Sequence, residues 1–402
     1  MEYKKIVWKT FHEFESEYSI EPVCEHEKEE CNGCPLMVLP YAKQLELKKK
    51  LLAQLFGRKI EMEPAPSELG YRNKLDLNYA DGILGFKRKT KNEKQAGKEN
   101  RSEVFGVKKC WLIDDDANGL IRGIAGILKE KKTASAGIRE KKEGLGFVVL
   151  RKTRAGQAAV NLIYFGKVPE KEAGAIAERI LSVTSGSGDR VRVKSVNILL
   201  NDFWADASEG RRVKTFGAQT IDEQLLGKKF AMKCSTFFQT NPESAEKIFA
   251  EVKEFIGGNA SALDLYCGVG TIGICVADAC GKVFGVEVVK ESIELAELNA
   301  RENNVTNISF ACGPVKELLA GLEPEFDAII VDPPRSGLEE KTIRRLKELA
   351  PRKIAYVSCS PETLCRDLKE LELMYIVKKL KGFDQFPQTT HIEMLCLLEK
   401  KK

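Results

Sequence analysis

The feature that most restricts this chain is an apolar strand that runs into a glycine-rich turn. Ala262-Leu-Asp-Leu-Tyr266 is followed, after Cys267, by Gly268-Val-Gly270-Thr-Ile-Gly273 and a helical pattern. Glycines let the backbone turn sharply and approach a ligand closely. Glu287 ends the next apolar stretch, nineteen residues past Gly268. A carboxylate there can accept hydrogen bonds from both hydroxyls of a ribose. The pair points to an adenosine-type cofactor and leaves NAD and S-adenosylmethionine both open.

Around this turn the pattern alternates strand and helix from about residue 230. Strands are expected at 262–266, 283–287, 308–311, 328–332 and 354–358, with two more near 375–381 and 391–399 that pair as a hairpin. Such alternation predicts a parallel α/β sheet with helices on both faces, Rossmann-like in its C-terminal domain. Residues 117–221 read as mixed α/β, and 67–86 as a hairpin. At 402 residues with 43% apolar side chains, two or three domains are expected. We place them at 1–116, 117–229 and 230–402.

Ligands of open α/β sheets sit at the carboxyl ends of the strands. Two of those ends carry chemistry: Asp332-Pro-Pro-Arg335 after the fourth strand and Cys359-Ser-Pro361 after the fifth. Ser360 suits an N-cap and Pro361 the first helical position. A thiol at a helix N-terminus is biased toward thiolate, a bias that Glu362 opposes. Cys267, Cys275, Cys280, Cys312, Cys365 and Cys396 read as buried packing residues. Strand alternation puts His391 and Glu393 on one face.

Twelve cysteines in a chain with no secretory signal argue for metal binding or catalysis rather than disulfides. Three histidines, His12, His26 and His391, argue against a multi-histidine site. The spacing of Cys24, Cys31, Cys34 and Cys110 leaves zinc and iron–sulfur open. No apolar run reaches the roughly 18 residues of a membrane span, so a cytoplasmic protein without a membrane partner is expected. Net charge is +5, which permits an RNA partner without demanding one. Residues 87–101 hold seven Lys or Arg and two Glu, readable either as a phosphate-contacting loop or as a solvated one.

Taken together, Phe237-Phe-Gln-Thr-Asn-Pro242, Asp264-Leu-Tyr-Cys-Gly268, Asp332-Pro-Pro-Arg335, Ser358-Cys-Ser-Pro361 and Phe386-Pro-Gln-Thr-Thr-His-Ile-Glu393 resemble the iron–sulfur RNA 5-methyluridine methyltransferases, as does Tyr71-Arg-Asn-Lys74. The resemblance covers most of the chain from Cys24 onward. It implies a class I methyltransferase domain behind a mixed α/β N-terminal and central region that carries an iron–sulfur site, with the central region binding RNA. It implies S-adenosylmethionine as methyl donor and a uridine of structured RNA, in the tRNA T-loop or large-subunit rRNA, as substrate.

By that resemblance Cys359 is the nucleophile and Glu393 the general base. Gln239, Tyr266, Glu287 and Asp332 match positions that bind S-adenosylmethionine or border the target base. Gly268, Gly270 and Thr271 form the cofactor loop, and Cys24, Cys31, Cys34 and Cys110 match the ligands of a 4Fe-4S cluster. Two departures stand out. Only 23 residues precede Cys24, so the RNA-binding TRAM barrel of many members is expected to be absent, and a monomer is expected. Ala311-Cys-Gly-Pro314 lacks the polar side chain that often touches adenine. Rival readings fit less well: a 5-methylcytosine enzyme would place a cysteine after the fourth-strand proline, an adenine amino-methyltransferase an aromatic residue at Arg335, and a non-catalytic iron–sulfur RNA-binding protein would leave Cys359 and Glu393 unexplained.

Overall fold

A computed structural model of the chain describes residues 3–26, 31, 33–88, 104–186, 190–321 and 325–402. All but the first two residues of the basic 87–101 segment lie outside that set, as do 27–30 and 32 between the first cysteines. The N-terminal part forms α1 (Tyr3–Tyr18), α2 (Tyr41–Phe56) and a short strand β1 (Glu61–Glu63). Sequence reading did not anticipate α1; Val7 and Phe11 of that helix pack against Leu36, Val38, Leu47 and Leu51. α2 is buried on two faces. Leu47 and Leu51 meet α1, whereas Leu45, Leu52 and Phe56 pack on the C-terminal sheet.

The central sheet contains β2 (Lys74–Ala80), β3 (Ile83–Lys87), β4 (Val104–Gly106), β5 (Gly144–Lys152), β6 (Gln157–Phe165), β7 (Thr184–Ser185), β8 (Val191–Asn201) and β9 (Arg211–Gly217). Its order is β4-β3-β2-β5-β6-β8-β7, with β9 on β8. Asp81 and Gly82 both take positive φ, 51° and 78°, the geometry a tight β2–β3 hairpin requires. Helices α3 (Asp115–Glu130) and α4 (Glu170–Leu181) cover one face. The sheet runs across the expected boundary at 116/117, because β2 buries Leu75, Leu77 and Tyr79 in the same core as Leu120, Ile121 and Ile124 of α3.

After a hairpin of β10 (Ile221–Leu225) and β11 (Lys228–Met232) comes the C-terminal domain. Its elements are α5 (Pro242–Ile256), β12 (Ala260–Leu265), α6 (Thr271–Val276), β13 (Cys280–Glu287), α7 (Lys290–Glu302), β14 (Ile308–Cys312), α8 (Val315–Ala320), β15 (Ala328–Val331), α9 (Glu340–Leu349), β16 (Lys353–Ser358), α10 (Pro361–Leu371), β17 (Tyr375–Phe383) and β18 (Glu393–Lys400). The strand order is β1-β17-β18-β16-β15-β12-β13-β14. β12 through β16 are parallel, and chain order reverses between β12 and β15, which opens the crevice where such sheets bind ligands. β18 lies antiparallel between β16 and β17, so the expected terminal hairpin is present. The second face of the central sheet shares one core with this domain: Phe147, Ile163 and Phe165 are buried with Phe230, Phe238 and Phe249. Among the described residues no helix is long and apolar enough to cross a membrane.

The segment between β17 and β18 is held by α2. Lys48 Nζ donates to Asp384 Oδ1 at 2.5 Å and to the Phe386 carbonyl at 3.2 Å. Gln44 pairs with Gln388 through side chain and backbone, and Tyr71 Oη donates to the Pro387 carbonyl. Lys48 and Asp384 are both fully buried, and burial pushes the Lys48 amine below its ordinary value while Asp384 opposes that shift. Removing one member of a buried pair strands the other charge, so Lys48→Met is expected to lower unfolding free energy by about 3–5 kcal/mol, and Lys48→Met with Asp384→Leu to recover most of it. Denaturant midpoints measure both; equal loss in single and double variants would contradict the pairing.

Candidate active site

The cofactor turn is built as its glycines demand. Tyr266, Gly268 and Gly270 take φ of 65°, 56° and 80°. A Cβ on Gly270 would lie 2.9 Å from Ile274 Cδ1 and 3.2 Å from Phe310, so the loop closes only with glycine there. Thr271 opens α6, and Gly273 N–H donates to Asp264 Oδ2 at 2.8 Å. Asp264, which sequence reading gave no role, is fully buried beneath the loop, and burial pushes its carboxyl up to about 8.

Glu287 ends β13 with its carboxylate fixed by three backbone N–H groups: Gly268 at 3.2 Å, Val288 at 2.7 Å and Val289 at 2.9 Å. This preorganised acceptor suits a ribose diol. Val288 and Val289 are exposed beside it, an apolar surface fit for an adenine face. Cys312, expected to be buried, is exposed, because β14 is the edge strand of the sheet.

Cys359 and Glu393 meet through the strand ladder. Ser358 pairs with Met394, which leaves Cys359 and Glu393 next to one another at the ends of β16 and β18. Phe383 of β17 pairs with Glu393 on the other side. Glu393 is buried, while His391 is exposed. The ladder begins at Glu393, so His391 precedes the strand and stays exposed, yet Arg335 acts on both residues.

Ser360 caps α10 by accepting from Thr363 N–H, and Pro361 occupies the first turn, as read from sequence. The expected thiolate bias is overridden. Burial, then the charges of Glu393 and Asp332, push the Cys359 thiol up to about 11, with Arg335 pulling the other way. Glu393 is pushed well above the ordinary carboxylate range by burial and Asp332, again opposed by Arg335. Burial raises Asp332 to about 7. Desolvation and like charge thus outweigh the helix terminus.

Gln239 sits next to this group. Its Nε2 lies 3.5 Å from Asp332 Oδ2, and its Oε1 accepts from Gln385 Nε2 at 2.7 Å. Asn73 Nδ2 donates to the Gln239 carbonyl, which ties the Tyr71–Lys74 motif to the site. Fully buried Arg151 donates to the Thr236 carbonyl and holds the same loop from the central sheet. Phe237 on that loop is 70% exposed, an aromatic face presented beside Gln239. Arg335, Phe237 and Gln385 were not assigned from sequence. Exposure of a large aromatic and burial of a glutamine are tertiary signals, although all three fall inside or beside quoted motifs.

The four cysteines of the N-terminal part converge less tightly. Cys34 is raised by burial and then by the fields of Cys110, Cys31 and Cys24, which puts all four thiols within electrostatic reach. Asn118 of α3 accepts from the Cys110 N–H and donates to its carbonyl. Among the described residues no group of three or more His, Cys, Asp or Glu is drawn in to metal-holding distances.

A family model described as tRNA (Uracil-5-)-methyltransferase matches residues 117–401. The chain belongs to this family. An uncharacterized RNA methyltransferase of Clostridium tetani is 33% identical over 399 residues, 96% of this chain and 85% of that protein. A second, from Caldanaerobacter subterraneus subsp. tengcongensis, is 32% identical over 400 residues, 96% of this chain and 86% of its own. Among solved structures, the Pyrococcus abyssi tRNA (uracil-54, C5)-methyltransferase in complex with S-adenosyl-L-homocysteine superposes with a TM-score of 0.76 at 30% identity, over 91% of this chain and 85% of that one. This uracil-5-methyltransferase is therefore an S-adenosylmethionine-dependent RNA-modifying enzyme with a mixed α/β, class I methyltransferase-like fold.

The raised thiol has a direct consequence in the free enzyme. A group with elevated pKa stays protonated until pH passes the raised value, so Cys359 is a thiol at neutral pH. Its alkylation by iodoacetamide, followed by peptide mass spectrometry, is expected to rise about tenfold per pH unit and to keep rising past about pH 10. Levelling near pH 9.5, about one unit above the ordinary thiol pKa of about 8.5 and therefore where an ordinary thiol is nearly all ionised, would contradict this.

Proposed function

We propose that this enzyme makes 5-methyluridine in structured RNA, in the T-loop of tRNA or in large-subunit rRNA, with Cys359 as covalent nucleophile and Glu393 as general base. The observation that carries the reading is the placement of Cys359 beside buried Glu393 at paired strand ends, with Asp332 and Arg335 in the same electrostatic group. The Pyrococcus abyssi likeness favours tRNA of the two substrates.

Carbon 5 of uracil is a weak nucleophile. The Cys359 thiol first gives up its proton to solvent; addition of the resulting thiolate to carbon 6 makes an enolate and renders carbon 5 electron-rich. S-adenosylmethionine, when bound, supplies the methyl group as a sulfonium electrophile. Glu393 then takes the proton left on carbon 5, the double bond re-forms, and the carbon–sulfur bond breaks to release the thiolate. A carboxylate raised by desolvation is suited to this late proton removal. Arg335 favours the ionised thiol and offsets the two acids around it. The base must leave its stack to reach Cys359, and Phe237 offers it an aromatic neighbour. Gly268, Gly270, Thr271, Tyr266 and Glu287 hold the methyl donor, and Gln239 and Asp332 border the base.

The two roles separate on a denaturing gel. Cys359→Ala is expected to abolish methyl transfer and give no protein–RNA bond. Glu393→Gln keeps addition and methylation but stalls elimination, so a slowly migrating, heat-stable adduct should accumulate with S-adenosylmethionine and substrate RNA. An adduct that persists in Cys359→Ala would refute the nucleophile, and its absence in Glu393→Gln on an RNA the wild type methylates would refute the pair.

We further assign Cys24, Cys31, Cys34 and Cys110 as ligands of a 4Fe-4S cluster. A donor set of four thiols within electrostatic reach of one another, with Cys34 and Cys110 raised by burial and by neighbouring thiols and Cys110 linked to α3 through Asn118, fits that group. The cluster would supply a cross-link between chain segments, since uridine methylation transfers no electron. Protein purified without oxygen should be brown and contain iron; colourless, active protein with one zinc per chain would overturn the assignment.

A further inference from the structure

We propose that Gln385 is a specificity-determining positioning residue: it holds the Gln239 amide with its NH2 toward Asp332, so that the site presents a donor beside an acceptor and selects uracil over cytosine. This rests on the reading that Cys359 adds to a pyrimidine in this crevice.

The argument begins with polarity. Asp332, raised by burial, is acceptor-only in its ionised form, which is the form in which it would receive a base N–H. Asp332 Oδ2 lies 3.5 Å from Gln239 Nε2, so the amide turns its NH2 to that side and its oxygen away. The oxygen then needs a donor, and Gln385 Nε2 supplies it at 2.7 Å. Gln385 is itself immobilised. It has no exposed surface, its carbonyl accepts from Asn241 Nδ2, and the preceding residue is Asp384, paired with Lys48. Its own amide oxygen is buried with no hydrogen-bond partner among the described residues. An apolar residue would fill the same space without that cost, so packing alone does not account for a glutamine here.

The outcome is an ordered donor–acceptor pair. The bond to Asp332 is long, and the second N–H of Gln239 is free to turn to a base. Uracil offers a carbonyl oxygen at carbon 4 next to an N3–H, which complements NH2 beside carboxylate. Cytosine offers an amine next to a bare N3 and meets donor with donor and acceptor with acceptor. Were the Gln239 amide free to rotate, the first half of this discrimination would be lost.

The test compares single-turnover methylation of two RNAs that differ only in U or C at the target position. The wild type must first convert the uridine RNA to 5-methyluridine; failure there would sink the functional reading itself, not this inference. Gln385→Met keeps the volume and removes the donor. The U-to-C rate ratio is expected to fall about 10–100-fold, the range of one good bidentate base contact, with S-adenosylmethionine affinity unchanged. Gln385→Glu accepts instead of donating, turns the Gln239 oxygen to the site and should lower the ratio further. A merely structural glutamine would lower the melting temperature and slow both RNAs equally. A wild-type ratio in both variants, or a Glu variant as selective as wild type, would overturn the proposal.

Discussion

The ladder between β16 and β18 is the constraint on which the site depends. β18 enters antiparallel between β16 and β17, and its first residue, Glu393, comes to rest beside Cys359 at the carboxyl end of β16. A shift of one residue would turn Glu393 to the opposite face. The register is held by what precedes the strand. Lys48, Gln44 and Tyr71, from two different N-terminal segments, each bond to the stretch 384–388. Burial makes these bonds strict, because an unpaired charge or amide there has no water to turn to.

The same burial sets the electrostatics. Asp332, Glu393 and Cys359 are held in a desolvated crevice where Asp332 raises both of the others and Glu393 raises Cys359. Arg335, on the loop after β15, is the cation that counters them. That loop is held by α10: Thr363 Oγ1 donates to the Arg335 carbonyl, and Arg366 donates to those of Ser336 and Leu338. With these opposing fields the Cys359 thiol is raised to about 11 and stays protonated in the free enzyme.

The cysteine-bearing segment is not remote from this chemistry. Leu36 N–H, two residues past Cys34, donates to the carbonyl of Gln388, five residues before Glu393. Arg72 lies in the field of both Cys34 and Cys110, and its neighbour Asn73 holds the Gln239 loop. The N-terminal part thus acts on the site through backbone support.

Much of this was legible in the sequence for a local reason. Glycine, proline and apolar periodicity act within a few residues, so the turn at Gly268–Gly273, the cap at Ser360-Pro361 and the parallel strands could be read directly. Strand ends collect the ligand side of such a sheet, which is why Glu287, Asp332 and Cys359 could be named in advance. Where desolvation, long-range packing or strand register decides, one sequence carries no local mark. The helix-terminus argument for Cys359 lost to burial and to two carboxylates from other strands. His391 stays exposed beside buried Glu393 because the ladder starts two residues later than alternation assumes. β2–β4 joined the central sheet rather than the N-terminal segment because their apolar face lies under α3. The relay from Gln385 through Gln239 to Asp332 joins residues 146 and 93 positions apart. The residue types and turns were set by the chain's own order; which of them face one another, and with what charge, was decided only when the sheets closed and excluded water.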